Sequence, residues 1–260
     1  MKLKYKALIT DFDGTLVGLD FAPSLKVKEA VKKLLDNGFK VCIATGRTYW
    51  GTTEKVCQEL NLKDPQIASA GGQIIDPTSG EIIWESYLDY ESAKNIIEYL
   101  INNNHPFAAE SGKYVFSDNP QVEEGYGLGI SFKNIKELDF KKVVKVFVPD
   151  MSLENTLREL FPDLNVIVAG LAIKHVLDIT YKNVSKEAGA KQLSKILNID
   201  LSEVVGLGDG YNDIPLISVC GFKVAMANAP IELKEMADLI VPDVEHEGLV
   251  TLIDTIYNMQ

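Results

Sequence analysis

Short apolar runs and longer amphipathic stretches take turns along both ends of this chain. Ala7 to Ile9, Lys40 to Ala44, Gln66 to Ser69, Val204 to Leu207, Lys223 to Met226 and Leu239 to Val241 read as buried strands. Between the first two, Val27, Ala30, Val31, Leu34 and Leu35 recur at helical spacing opposite Lys28, Lys32 and Lys33. This predicts a helix from Ser24, a capping residue, to Asn37, with Gly38 ending it. Further helices are predicted over residues 49–60, 185–197, 214–219 and 248–257.

Strands alternating with helices predict a parallel sheet covered on both faces. The fold class expected is α/β, with a doubly wound, Rossmann-like parallel-sheet core. The middle of the chain has another texture. Gln73 to Asp76 and Glu81 to Trp84 flank the turn residues Pro77-Thr78-Ser79-Gly80, which predicts a hairpin. A helix is predicted over 90–102 and another over 153–160. Strands are predicted at Phe107 to Glu110, Tyr114 to Phe116, Val143 to Val148, Val166 to Ala169 and Val176 to Thr180. This stretch reads as an α+β insertion, so the expected domains are a core of residues 1–82 and 182–260 and a cap of residues 83–181.

Three of the core strands run straight into polar residues: Asp11-Phe12-Asp13-Gly14-Thr15, Thr45-Gly46-Arg47 and Gly208-Asp209-Gly210-Tyr211-Asn212-Asp213. Open parallel sheets bind ligands outside the carboxyl ends of their strands, where the strand order reverses. Two carboxylates about 4 Å apart repel by roughly 4 kcal/mol at an effective dielectric of 20, and a divalent cation reverses that sign. A solvated face would scatter charge along helices instead. Phosphate-ester cleavage needs this set of groups: a carboxylate nucleophile, an acid for the leaving oxygen, and cations on the phosphoryl oxygens. Asp11 and Asp13 could each be nucleophile or acid. Asp209 and Asp213 add hard oxygen ligands suited to Mg²⁺. Thr45 and Asn212 are neutral donors, and Lys186 opens a helix beside the cap Ser185, a good anion site.

Composition narrows the picture. A net charge of −11 in 260 residues speaks against a nucleic-acid surface, and it requires any phosphate site to bring its own positive charge. No apolar run approaches the roughly 20 residues of a membrane span, and the N-terminal segment predicts no signal peptide. Cys42, Cys57 and Cys220, odd in number and widely spaced, read as buried thiols in a reducing compartment. A cytoplasmic protein with no membrane or nucleic-acid partner is expected. Its oligomeric state is not legible here.

Together Asp11-Phe12-Asp13-Gly14-Thr15, Ile43-Ala44-Thr45-Gly46-Arg47, Val184-Ser185-Lys186 and Gly208 to Asp213 resemble the four motifs of the haloacid dehalogenase-like phosphatases. The order, the insertion between the second and third motifs, and Val224 to Ala229 near the C-terminus look most like the Cof-type (subclass IIB) branch, with its C2B-type cap. The resemblance implies Asp11 as the nucleophile and Asp13 as general acid/base with a backbone carbonyl on Mg²⁺. Asp209 is the implied third metal ligand, and Asp213 a further ligand or a support to one. Thr45, Gly46, Lys186 and Asn212 are implied phosphate holders, and Arg47 an ion-pair partner near the site. The implied activity is hydrolysis of small phosphorylated metabolites, sugar phosphates above all, through a phosphoaspartate. A phosphomutase of the same superfamily and a phosphosugar-binding regulator share the motifs.

Two positions depart from the pattern: Glu187 follows Lys186 where a glycine is usual, and Ala70 stands where an asparagine is usual. Of the cap, Glu110, Lys113, Tyr114 and His175 are the polar residues singled out as substrate contacts, against the alternative of an exposed sheet face. His105, His175 and His246 have no ligand spacing, and Trp50 and Trp84 are expected to pack.

Overall fold

Leu8 and its neighbours Ala7 and Ile9 point to opposite sides of one strand, and each side carries its own core. The computed structural model describes residues 4–120, 122, 129–171 and 174–259. Its first strand, β1 (Ala7–Thr10), is fully buried. Leu8 joins Val41, Ile43, Val205, Leu207 and Val224 beneath the helices Leu25–Asp36 and Gly248–Asn258. Ala7 and Ile9 join Cys42, Ala190, Leu193, Leu216 and Ile217 beneath the helices Lys186–Leu197 and Ile214–Ser218. Burying each Val, Leu or Ile among these stabilises the fold by roughly 1.5–3 kcal/mol. Both faces of the sheet are therefore covered, as the continuous apolar strands require.

The strands in chain order are β2 (Lys40–Ile43), β3 (Gln66–Ala68), β4 (Gln73–Ile75), β5 (Ile82–Glu85), β6 (Ala108–Ser111), β7 (Tyr114–Phe116), β8 (Phe132–Lys133), β9 (Lys145–Val148), β10 (Leu164–Leu171), β11 (Lys174–Tyr181), β12 (Val204–Gly208), β13 (Phe222–Met226) and β14 (Leu239–Val241). The main sheet has the order β14-β13-β12-β1-β2, all parallel. Chain progress runs one way from β1 to β2 and the other way from β12 to β14. The strand order thus reverses between β1 and β12, and the crevice expected for a ligand lies past Thr10 and Gly208.

β3, β4 and β5 form a small antiparallel sheet that joins the main one through a parallel bridge between Ala44 and Ile67. The residue 82/83 boundary expected from sequence falls inside β5, which stays paired to β4. The third sheet, β10-β11-β9-β6-β7-β8, is mostly antiparallel and drawn wholly from the inserted segment. Strand alternation gives it two unlike faces. Ala109, Val146, Val148, Leu177 and Ile179 pack under the helices Tyr90–Asn102 and Glu154–Leu160. Ala108, Phe147 and Val176 lie on the other face, which also carries Glu110, Lys145 and Asp178.

Candidate active site

At the end of β1 the chain turns sharply through Gly14, whose φ is +78°. A Cβ there would meet Asp209 Oδ2 at 2.5 Å, so glycine is what lets the β1 loop lie against the β12 loop. Asp209 is then held from two sides: Thr15 donates to Oδ1 at 2.8 Å and Asn228 to Oδ2 at 2.8 Å. Asp213, at the start of the helix Ile214–Ser218, closes its own loop. Its Oδ2 accepts from the Asp209 and Gly210 amides at 3.1 and 2.9 Å.

Lys186 ties the two loops together. Ser185 caps its helix by accepting from the Ala188 amide at 3.2 Å, which fixes the first turn and drives Lys186 inward. The ammonium donates to Asp11 and, at 2.6 Å, to Asp213 Oδ1. Lys186, Asp11 and Asp213 are all buried. Burial alone would lower the Lys186 pKa, but Asp11 and Asp213 outweigh it and hold the ammonium charged. Burial, with Asp213 adding repulsion, pushes Asp11 well above the usual carboxylate range. Asp209 is raised for the same two reasons. Glu187, where a glycine was usual, faces outward and pairs with Lys191 at 2.5 Å.

Past β2, three successive carbonyls are each engaged. Thr45 O accepts from the Ala70 amide at 3.0 Å and Arg47 O from the Ser69 amide at 2.8 Å. Between them, Gly46 O accepts from Lys145 Nζ at 2.6 Å. The bracing segment is unusual, because Ser69, Ala70 and Gly71 all have positive φ. An asparagine at 70 would tolerate that left-handed geometry better than alanine does, a physical reason for the usual residue there. Thr45 is fully buried, and its hydroxyl accepts from the Arg47 amide at 3.0 Å. Arg47 pairs with Asp13, Nε reaching Oδ2 at 2.8 Å and Nη2 reaching Oδ1 at 2.7 Å, and it is the ion-pair partner that the sequence suggested.

A narrow cleft opens at this point, lined by Asp11, Asp13, Gly46, Asp209 and Asn212 on one wall and by Lys145, Phe147 and Asp178 on the other. Of the residues singled out, Thr45 and Lys186 sit just behind the first wall. Among the four cap candidates, Glu110 is buried and pairs with Lys145 at 3.0 Å, so the exposed-face reading fails there. Exposed Lys113 and half-buried Tyr114 lie elsewhere, the Lys113 and Lys133 ammoniums both over the Tyr114 ring, and exposed His175 borders a neighbouring crevice. Lys145 and Asp178 were missed. Their signal was a charge at an inward position of an otherwise apolar strand, in Lys145-Val146-Phe147-Val148 and in Val176-Leu177-Asp178-Ile179.

The sequence pattern of the haloacid dehalogenase-like hydrolases matches residues 8–253. The chain belongs to that family. Over 98% of this chain and 99% of the relative, it is 25% identical to the 5-amino-6-(5-phospho-D-ribitylamino)uracil phosphatase YwtE of Bacillus subtilis (strain 168). It is 23% identical to the phosphatase YwpJ of the same organism, over 95% and 98% of the two chains. Among solved structures, TM0651 from Thermotoga maritima superposes with a TM-score of 0.81 at 27% identity, covering 96% of this chain and 97% of that one. The subclass IIB sugar phosphatase BT4131 superposes with a TM-score of 0.84 over 97% and 99% of the chains, and at 23% identity that likeness is one of fold. The α/β class and the hydrolase family expected from sequence both hold.

Proposed function

We propose that this chain is a Mg²⁺-dependent phosphatase of small phosphorylated metabolites, sugar phosphates above all, working through a phosphoaspartate at Asp11 in the cytoplasm. The observation that carries this reading is the buried Asp11 carboxylate at the reversal of strand order, held by Lys186 and faced by Asp209 and Asp213. The division into a core and a cap of residues 83–181 belongs to the same proposal, as do the residue roles that follow.

The donor set fits the metal. Asp11, Asp209 and Asp213 each offer an oxygen, and these oxygens lie within 4.8 Å of one another. Hard carboxylate oxygens suit Mg²⁺, and like charges crowded into a buried site gain most from a cation. Asp11, Asp209 and the Asp13 carbonyl would hold it, with Asp213 as a further ligand or as the support of the Asp209 loop. Bound there, the ion would supply charge neutralisation for the carboxylates and the phosphoryl group.

The chain's own residues do the rest. An Asp11 oxygen attacks phosphorus while the P–O bond to the leaving group breaks, and Asp13 gives that oxygen a proton. Water then cleaves the acyl phosphate, and Asp13 takes the proton back. Lys186, the Thr45 hydroxyl, the Gly46 amide and Asn212 bind phosphoryl oxygens, as preorganised donors aimed at developing charge. Arg47 keeps the Asp13 carboxylate facing the cleft.

The test is inorganic phosphate release from a panel of small phosphate esters, with Mg²⁺ and then with excess EDTA. Release should depend on the metal and fall on the order of 10⁴-fold or more in Asp11→Asn, which keeps the shape and removes the nucleophile. Metal-dependent transfer to a second substrate hydroxyl, without phosphate release, would make the protein a mutase. Ester binding with no turnover would make it a regulator.

A further inference from the structure

Glu110, Lys145 and Asp178 put three ionisable groups on the cap-sheet face that looks into the cleft. Glu110 on β6 and Lys145 on β9 are register partners, and Asp178 on β11 pairs with Phe147, two residues on from Lys145. Lys145 Nζ lies 3.0 Å from Glu110 Oε1 and 3.0 Å from Asp178 Oδ1, and the three side chains are 1–3% exposed. Burying a lysine with two carboxylates is costly, and replacing such clusters by apolar residues is often neutral or stabilising. The packing of this sheet gives no reason to keep one there.

The third contact of the ammonium leaves the cap: Lys145 donates to Gly46 O at 2.6 Å. Gly46 leaves the clamp undisturbed, since a Cβ there would lie a tight 3.0 Å from Asp178 Oδ2. Gly46 O and the Arg47 N–H belong to one planar peptide group and point in opposite directions. That N–H donates to Thr45 Oγ1 at 3.0 Å. The line therefore runs from the cap ammonium, through one peptide, to the hydroxyl expected to hold phosphate. The flanking carbonyls of Thr45 and Arg47 are fixed by the core's own Ala70 and Ser69 amides. Among these three carbonyls, the Gly46 oxygen is the one the cap holds.

We propose that Lys145, clamped by Glu110 and Asp178, is a positioning residue that couples cap docking to the phosphate loop. With the cap in place, the ammonium orients and polarises the Gly46–Arg47 peptide. The Arg47 N–H then occupies a lone pair of Thr45 Oγ1, and the Thr45 O–H is left to donate to a phosphoryl oxygen. With the cap away, the peptide loses its carbonyl partner and the hydroxyl its orientation. This deepens the phosphatase reading and rests on it for the role of Thr45.

The test is a double-mutant cycle. The triple change Glu110→Gln, Lys145→Met, Asp178→Asn removes the cluster without leaving a buried ion unpaired. If it fails to fold by circular dichroism, the triple change Glu110→Gln, Lys145→Leu, Asp178→Asn takes its place, again with no buried ion left unpaired. In the wild-type background, kcat for a small phosphate ester should drop about tenfold or more, part of the 10²–10³ that one preorganised donor is worth. In a Thr45→Val background the same change should cost less than about twofold, because the hydroxyl it acts through is gone. Equal losses in both backgrounds would overturn the proposal. An activity-independent readout separates its failure from that of the phosphatase reading. By ¹⁵N NMR the Arg47 amide should exchange faster in the cluster variant while the β1 and β12 amides keep their protection. An unchanged Arg47 amide would overturn the proposal whether or not any ester is hydrolysed.

Discussion

Arg47 grips Asp13 with two of its nitrogens, at 2.8 Å from Nε to Oδ2 and 2.7 Å from Nη2 to Oδ1. Both side chains are about nine-tenths covered, so solvent screens the pair little. The Asp13 carboxylate is thereby fixed where it lines the cleft. The guanidinium lies over the Phe21 ring at 4.6 Å, which limits the ways it can move.

Loss of this grip should act on catalysis more than on binding. Arg47→Met keeps the aliphatic stem and removes the fork, leaving Asp13 free to turn. A positioned acid/base is worth about 10²–10⁴-fold. Steady-state kinetics should show kcat reduced roughly 10- to 100-fold with KM changed far less, and Arg47→Lys should recover only part of the loss, since an ammonium cannot reproduce the fork. A change confined to KM would reassign Arg47 to substrate binding.

Metal should stabilise the fold, and more so as pH rises. Burial together with Asp213 raises Asp11 and Asp209 above the usual carboxylate range, so protons compete with a cation for these oxygens up to a higher pH than at an ordinary carboxylate. Proton competition fades as pH climbs through that raised range, and apparent Mg²⁺ affinity should increase with it. At about 100 times Kd the stabilisation is about 2.7 kcal/mol, or roughly 5–10 °C in Tm for a chain near this size. Thermal melts in Mg²⁺ and in EDTA, at pH values from 5 to 8, would measure it, and Asp209→Asn should lose most of the difference.

Gly71 is a backbone position with almost no room for a side chain. Its φ is +98°, and a Cβ would fall 2.0 Å from Ser185 O, the residue that caps the Lys186 helix. Gly71→Ala should cost roughly 3 kcal/mol or more, combining a forbidden backbone region with a steric clash, and Tm should fall by about 6–12 °C. Because the clash pushes on the turn that aims Lys186, residual activity at low temperature should fall as well. By contrast, the positive-φ Gly80 has open space around it, so alanine there meets backbone strain alone and should cost markedly less.

Local chemistry determined much of this protein. Apolar strands that end in Asp11, Thr45 and Asp209 could only be buried between two layers of helix, and the reversal of strand order then brought their polar ends together. Ser185 capping a helix that starts with Lys186 is likewise a local arrangement. So the core sheet, the hydrolase family and the residues gathered around Asp11 were all legible before any coordinates. The tertiary structure decided what depends on partners far away in the chain. Arg47 was expected to make an ion pair, but only the fold named Asp13, 34 residues earlier, as its partner, and Lys145 needed a carbonyl 99 residues earlier. Glu110, Lys145 and Asp178 come from three separate cap strands, and the pairing register of those strands sets which charges face the cleft. That register follows from packing across the whole cap sheet, and no spacing within a single strand encodes it.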